Sequence, residues 1–137
     1  MLKSGLSVRH IEEEKNVPMY KTNIECISTQ TFSSSLVVSM RPLPANQVVR
    51  AVEVTSRYYK AHGSPIHIGS PETIGIYNLE KPDYGDAVTI NDGEIPVFWA
   101  CGVTTQIAIL STKSELAITH SPGHMFVSDL QDESLTL

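Results

Sequence analysis

The chain has too few cysteines to be stapled and no apolar run long enough to cross a bilayer. Only Cys26 and Cys101 are present. Two cysteines make no disulfide framework, so two free thiols in a reducing compartment are expected. No stretch approaches the roughly 20 apolar residues of a membrane-spanning helix. Residues 1–11 hold neither a secretory apolar region nor the Arg- and Ser-rich composition of a transit peptide. Basic residues are also scarce. Ten Lys and Arg against 15 Asp and Glu leave a formal net charge of -5, and no basic cluster is visible. Phosphate-rich partners need such a cluster, so no nucleic-acid partner and no membrane partner are expected. Repeats, linkers and low-complexity blocks are missing as well. What remains is a chain of 137 residues, 41% hydrophobic and 18% charged. That is one folded domain, long enough to bury roughly two-thirds of its unfolded surface.

The order of elements points to an α+β fold of short mixed strands with one long amphipathic helix. Residues 1–22 are polar, and Glu12-Glu13-Glu14 reads as a solvated face. Residues 27–35 are rich in Ser and Thr and read as a loop. Leu36-Val37-Val38-Ser39-Met40 is a buried strand, stopped by Arg41-Pro42-Leu43-Pro44 because proline cannot donate to a ladder. The helix follows. Pro44 suits its first turn, and Ala45, Val48, Val49, Val52, Ser56 and Tyr59 share one face. Lys60, His62 and Gly63 mark its end. Short strands are expected at 65–69, 87–90, 95–100, 117–120 and 125–127. A turn is expected at Asn91-Asp92-Gly93 and a short helix over 103–110.

Two apolar runs meet reactive side chains at a glycine. Cys101 and Gln106 lie near Gly102, and His120 and His124 bracket Gly123. Glycine permits a sharp turn or a close approach to a ligand, and polar groups at the edge of a scaffold build most small-molecule sites. The four-residue histidine spacing suggests a metal pair, but Pro122-Gly123 breaks the helix such a pair needs. Acid–base work or substrate hydrogen bonding is the alternative, since imidazole titrates near 6.5. Cys101 either packs or, before a helix start, becomes a nucleophile. Thr104, Thr105 and the adjacent N–H groups are candidates to bind a carboxylate, with Gln106 as a further donor. Arg41 either clamps a carboxylate in bidentate fashion or forms a surface ion pair. Glu94 and Asp86 are candidate bases or exposed turn acids. Asp129 orients a histidine or opens the acidic tail. His67 reads as a satisfied core residue.

Four motifs then carry a resemblance. Val17-Pro18-Met19-Tyr20-Lys21-Thr22-Asn23-Ile24 and Val37-Val38-Ser39-Met40-Arg41-Pro42 are the first two. Pro96-Val97-Phe98-Trp99-Ala100-Cys101-Gly102-Val103-Thr104 and Ile118-Thr119-His120-Ser121-Pro122-Gly123-His124-Met125-Phe126 complete the set. Together they resemble the D-glutamate cyclase family, which includes bacterial proteins carrying a hydro-lyase name. Cys26-Ile27-Ser28-Thr29 is similar to the animal mitochondrial members, which implies a mitochondrial matrix location.

The resemblance implies a lyase that closes D-glutamate to 5-oxo-D-proline and releases water; no cofactor and no metal are expected. Residues 1–137 then correspond to the C-terminal part of the family domain, within a larger two-subdomain fold. Its ends, about 1–16 and 130–137, are expected to be flexible. The missing upstream half carries a segment close to Gly-Cys-Ser-Phe-Ser-Phe-Glu. Ser33-Ser34-Ser35 replaces a glycine-containing turn of many bacterial members. The chemistry assigns catalysis to His120, His124 and Cys101, and substrate binding to Arg41, Thr104 and Gln106. The expected partner is D-glutamate, with self-association into a homo-oligomer left open. A non-catalytic ligand-binding domain and an inactive truncated isoform are the competing readings.

Overall fold

The computed structural model describes residues 1–136. Its centre is a four-stranded sheet in the order β1-β2-β4-β3, with β1 at Met19–Glu25, β2 at Ser35–Pro44, β3 at His67–Ile68 and β4 at Glu94–Ala100. Every neighbouring pair is antiparallel. The expected α+β architecture is present.

β2 runs straight through Arg41-Pro42-Leu43-Pro44, where the prolines were expected to end it. The register explains why. Pro42 faces Pro96 across the β2–β4 ladder. Opposed residues that exchange no hydrogen bonds point their N–H groups outward, so two prolines at such a position cost the ladder nothing. The outer side of β2 is free there, because β1 reaches only as far as Met19, opposite Ser39. On the far side of β4, the Pro96 carbonyl still accepts from the Gly69 N–H at 2.9 Å.

Alternation along β2 sorts the core into two layers. Val38 and Met40 face a cluster with Tyr20, Phe98, Ile74 and Ile76. Ile74 closes a 3-10 turn at Pro71–Ile74. Val37 and Leu43 point the other way, toward the helices. Val37 packs with Met19 and Val103, the first residue of helix α3 (Val103–Ser111). Leu43 packs with Val97, Trp99, Val48 and Ala51, the last two from helix α2 (Ala45–Ser56). A one-turn helix, α1 (Arg9–Glu12), precedes the sheet. Between Val37 and Leu43, the same face of β2 carries Ser39 and Arg41.

α2 starts where expected but ends at Ser56, short of Gly63. Gly63, at φ 64, instead closes a turn in which its N–H bonds the Tyr58 carbonyl at 3.1 Å. Its buried face is Val48 and Ala51, while Val49 is 69% exposed. Valines at 48, 49, 52 and 54 surround the helix, so periodicity alone leaves its rotation ambiguous.

The strands expected at 87–90, 117–120 and 125–127 do not form. Residues 87–90 are held by side chains in place of a ladder. Arg9 Nη1 donates to the Thr89 carbonyl at 2.7 Å, Lys15 Nζ donates to the Ala87 carbonyl at 2.9 Å, and the Thr89 N–H donates to Glu13 Oε1 at 3.1 Å. Residues 1–16, expected above to be a loose end, thus dock on this loop and supply two buried core residues, Leu6 and Val8. Arg9 also pairs with Glu94 of β4 at 2.5 Å. At the other end, Asp132–Leu135 form a 3-10 turn whose Asp132 and Glu133 pair with Lys3 at 3.0 and 3.2 Å. Of the end expected to be flexible at 130–137, Leu137 lies outside the described residues.

Candidate functional site

A cavity of about 660 Å³ opens on the helix-side face of the sheet. Its wall includes Ser39 and Arg41 from β2, Cys101 after β4, and His120 and His124 from the C-terminal segment. Four residues singled out in the sequence therefore share one chamber. A second chamber of about 510 Å³ adjoins it and shares His10, Arg41, His62 and Met125. Trp99, Tyr58, Val8 and Ile11 give this second chamber apolar walls.

Arg41 is the electrostatic centre. Its guanidinium sits 5.2 Å above the Trp99 ring, and Nη1 donates to Ser39 Oγ at 3.2 Å. Trp99 is itself fixed, because its Nε1 donates to Thr55 Oγ1 of α2 at 3.2 Å. No carboxylate among the described residues pairs with Arg41. The surface ion pair considered from the sequence is therefore absent. Burial lowers its pKa to about 10, with the neighbouring Cys101 pulling the other way. A desolvated cation without a counter-charge is costly in isolation and is offset when an anion arrives.

Cys101 is half-buried, and burial pushes its thiol above the ordinary value. The Val103 N–H and the Arg41 charge oppose that rise without reversing it. It packs beside Met19, Val37 and Val103. A raised pKa leaves little thiolate at neutral pH, so the environment favours packing over attack.

The two histidines sit on an irregular stretch. His120 Nδ1 lies 2.8 Å from the Ser121 carbonyl and His124 Nδ1 lies 3.1 Å from that of Pro122. A carbonyl only accepts, so Nδ1 carries the proton in both rings and Nε2 holds the lone pair when the ring is neutral. Gln106 Nε2 holds this stretch by donating to the His120 carbonyl at 2.8 Å. Asn16 Nδ2 does the same at the Pro122 carbonyl, 3.1 Å away. Among the described residues, no three His, Cys, Asp or Glu side chains converge as a metal-binding group.

The side chains of Thr104 and Gln106 both make hydrogen bonds within the protein. Thr104 Oγ1 accepts from the Val37 N–H at 2.9 Å and donates to the Cys101 carbonyl at 2.8 Å, stitching α3 to β2. The N–H groups of Thr104 and Thr105 bond the carbonyls of Cys101 and Gly102, both at 3.1 Å, so the start of α3 keeps no pair of free donors there. Glu94 is taken by Arg9, and Asp86 accepts from the Asn16 N–H at 2.9 Å. Asp129 is exposed on the tail. His67 is half-buried against Phe98, ring centroids 5.7 Å apart, and its Nε2 contacts the Ser70 carbonyl at 2.8 Å.

Ser39, His10, His62 and Asn16 are wall residues that the sequence reading missed. Ser39 had a usable signal, because it lies two residues from Arg41 on a strand and must share its face. The other three reach the cavity only through long-range docking.

Comparison with known proteins agrees with the motifs. The family model for D-glutamate cyclase matches residues 1–129. The chain belongs to the D-glutamate cyclase family. A Bacillus licheniformis protein is 60% identical over 133 residues, covering 97% of this chain and 51% of that protein. Another from Bacillus subtilis is 56% identical over 137 residues, covering 100% and 53%. One from Syntrophobacter fumaroxidans is 58% identical over 132 residues, covering 96% and 51%. All three are named as proposed hydro-lyases. The chain spans about half the length of these relatives. They are bacterial, so they lend no support to the expected likeness to animal members or to a mitochondrial location.

Proposed function

We propose that this chain carries the anion-binding part of a hydro-lyase site for a small dicarboxylate, with D-glutamate as substrate and 5-oxo-D-proline and water as products. The observation behind it is Arg41, a buried cation with no carboxylate partner among the described residues, on the wall of a chamber that also holds two histidines. The hydro-lyase names of the relatives favour the same class of chemistry.

In the reaction, the substrate nitrogen attacks its own γ-carboxyl carbon. A C–N bond forms, a C–O bond breaks, and two ammonium protons leave with the departing oxygen as water. Arg41 holds one substrate carboxylate and fixes the folded-back chain, which removes much of the entropic barrier. His120 and His124 offer Nε2 lone pairs, so one ring can accept an ammonium proton while the other, once protonated, delivers one to the leaving oxygen. Cys101 shapes the wall.

A second reading rests on the share of its relatives that the chain covers: a domain that binds the dicarboxylate while catalysis is completed elsewhere. One experiment separates the two. The purified chain is incubated with D-glutamate or L-glutamate, and 5-oxoproline is followed by proton NMR. Product from the D enantiomer alone supports catalysis here. Saturable binding of D-glutamate without product supports the second reading. Neither binding nor product sinks both.

A further inference from the structure

The proposed reading gives the anion to Arg41 alone, and one guanidinium has more donors than a single serine can use. Arg41 offers five N–H donors, of which the described residues accept one, through Ser39 Oγ. Ser39 is 2% exposed, and its own hydroxyl proton has no acceptor among the described residues. His10 lines both chambers, as Arg41 does. Its Nδ1 is buried without a partner. Three neighbouring side chains on one wall therefore hold unused hydrogen-bonding capacity, and buried polar groups are rarely left so.

We propose that Ser39 and His10 complete a three-point carboxylate pocket with Arg41, at the junction of the two chambers. This rests on the anion reading above and names its contacts. The residues arrive from different places. Ser39 and Arg41 share a face of β2, two residues apart, and the register sets Trp99 and Val97 opposite them. His10 comes from α1, held down by the Arg9–Glu94 pair next to it. The chemistry is complementary. Arg41 supplies the charge, and the Ser39 hydroxyl, already accepting from Arg41, turns its proton toward the ligand. His10 adds an imidazole N–H without adding a second positive charge. Burial first, and then the Arg41 charge, lower the pKa of His10 to about 4, so the ring is neutral at pH 7. The other titratable groups around His10 and Arg41 are Lys15, His62, Cys101, His120 and His124 in the larger chamber, and Lys3, Tyr58, His62 and Asp132 in the smaller one. A neutral donor beside a cation avoids the repulsion that a second charged group would cause.

The test uses glutarate, a dicarboxylate that cannot cyclise, titrated into the chain by calorimetry. Ser39→Ala and His10→Phe, the latter keeping a ring of similar size, are each expected to weaken glutarate binding about tenfold, as for loss of one hydrogen bond to a charged group. Arg41→Ala is expected to weaken it about a hundredfold or more. Unchanged glutarate affinity in folded Ser39→Ala and His10→Phe, with Arg41→Ala still defective, overturns the three-point pocket and leaves the anion reading standing. No glutarate binding by the wild type sinks both. A readout on the wild type covers any variant that does not fold. The His10 side-chain nitrogen resonances are expected to move with glutarate and stay in place with the uncharged diamide of the same length. Resonances that ignore glutarate overturn the role of His10.

Discussion

The cavity has two sides built to different standards. On one side Ser39, Arg41 and Trp99 project from β2 and β4, the two central strands, neither of which has an exposed residue; Phe98, next to Trp99 on β4, is 0% exposed. On the other side His120 and His124 ride a stretch without helix or strand, in which Ile118, Phe126 and Val127 are each exposed by 87% or more. The described contacts that tie it down include two side-chain donors, Gln106 and Asn16. The proposed function puts ligand recognition on the rigid side and proton handling on the looser one. Local stability follows buried apolar contact, so the two sides should open with very different free energies.

Paired phenylalanines give the sharpest test. Phe98→Ala is expected to cost about 3–5 kcal/mol of stability, the range for deleting a buried aromatic side chain. Phe126→Ala is expected to stay within about 0.5 kcal/mol. Urea denaturation of both variants measures the difference. A large loss from Phe126→Ala would break the comparison, because that side chain would then be packed in solution.

Two glycines repeat the contrast at the level of the backbone. Gly85 (φ 74) and Gly123 (φ 78) both occupy the left-handed region. An added Cβ at Gly85 meets the Val17 carbonyl oxygen at 2.0 Å, backbone that cannot swing away, beside the Met19–Tyr84 bridge. Gly85→Ala is expected to cost about 2 kcal/mol or more globally. At Gly123 the Cβ meets the Asn16 side chain, at 1.9 Å from Oδ1. Gly123→Ala is expected to leave global unfolding within about 1 kcal/mol and to free the histidine stretch, seen as faster amide exchange at His124. Asn16→Ala in the same background should relieve the clash but not restore the lost hydrogen bond. Additive effects of the two changes would argue against that contact.

Arg41 should separate function from stability. Arg41→Met replaces an unpaired buried cation by an apolar side chain of similar length. The empty protein is expected to gain about 1 kcal/mol, while glutarate and D-glutamate binding is lost. Thermal unfolding and calorimetry on the same samples test both halves. A destabilised variant would show that Arg41 has a partner in solution.

The buried side of this molecule was far more legible in the sequence than the exposed side. Residues 36–40 and 95–100 announce strands by continuous apolar character, and both are there. The extension of β2 through Pro42 was hidden, because the harmlessness of a proline depends on what lies across the ladder. Residues 117–120 and 125–127 look like strands too, but a strand needs a partner and the alternation of side chains cannot supply one. Within the site, Arg41, Cys101, His120 and His124 could be named from chemistry next to glycine or proline. Thr104 could not be judged without knowing that its hydroxyl bridges Val37 and Cys101. His10 lay in a polar stretch, just before an acidic run read as solvated. Its burial comes from Arg9, Glu13 and Lys15 reaching the 87–90 loop, a contact across some 75 residues that no local pattern encodes.

That same docking makes a last and smaller prediction, in which acid should test the amino-terminal segment in two separate windows. His10 has a pKa lowered from 6.5 to about 4, by burial and then by Arg41. Between those values the unfolded chain binds a proton that the folded chain refuses, so stability falls as pH drops from about 6.5 to about 4. Glu13 is lowered from 4.5 to about 2, by its hydrogen bond to Lys15 first and by Thr89 after it. Its contribution is complete above 4.5 and is lost as pH falls from there toward 2. His10→Phe should flatten the upper window and leave the lower one, and Glu13→Gln should do the reverse. Urea midpoints taken at half-unit pH steps resolve the two. If either variant flattened both windows, the segment would be undocking as a unit when its first contact titrates, and the recognition side of the cavity would share the looseness of the other.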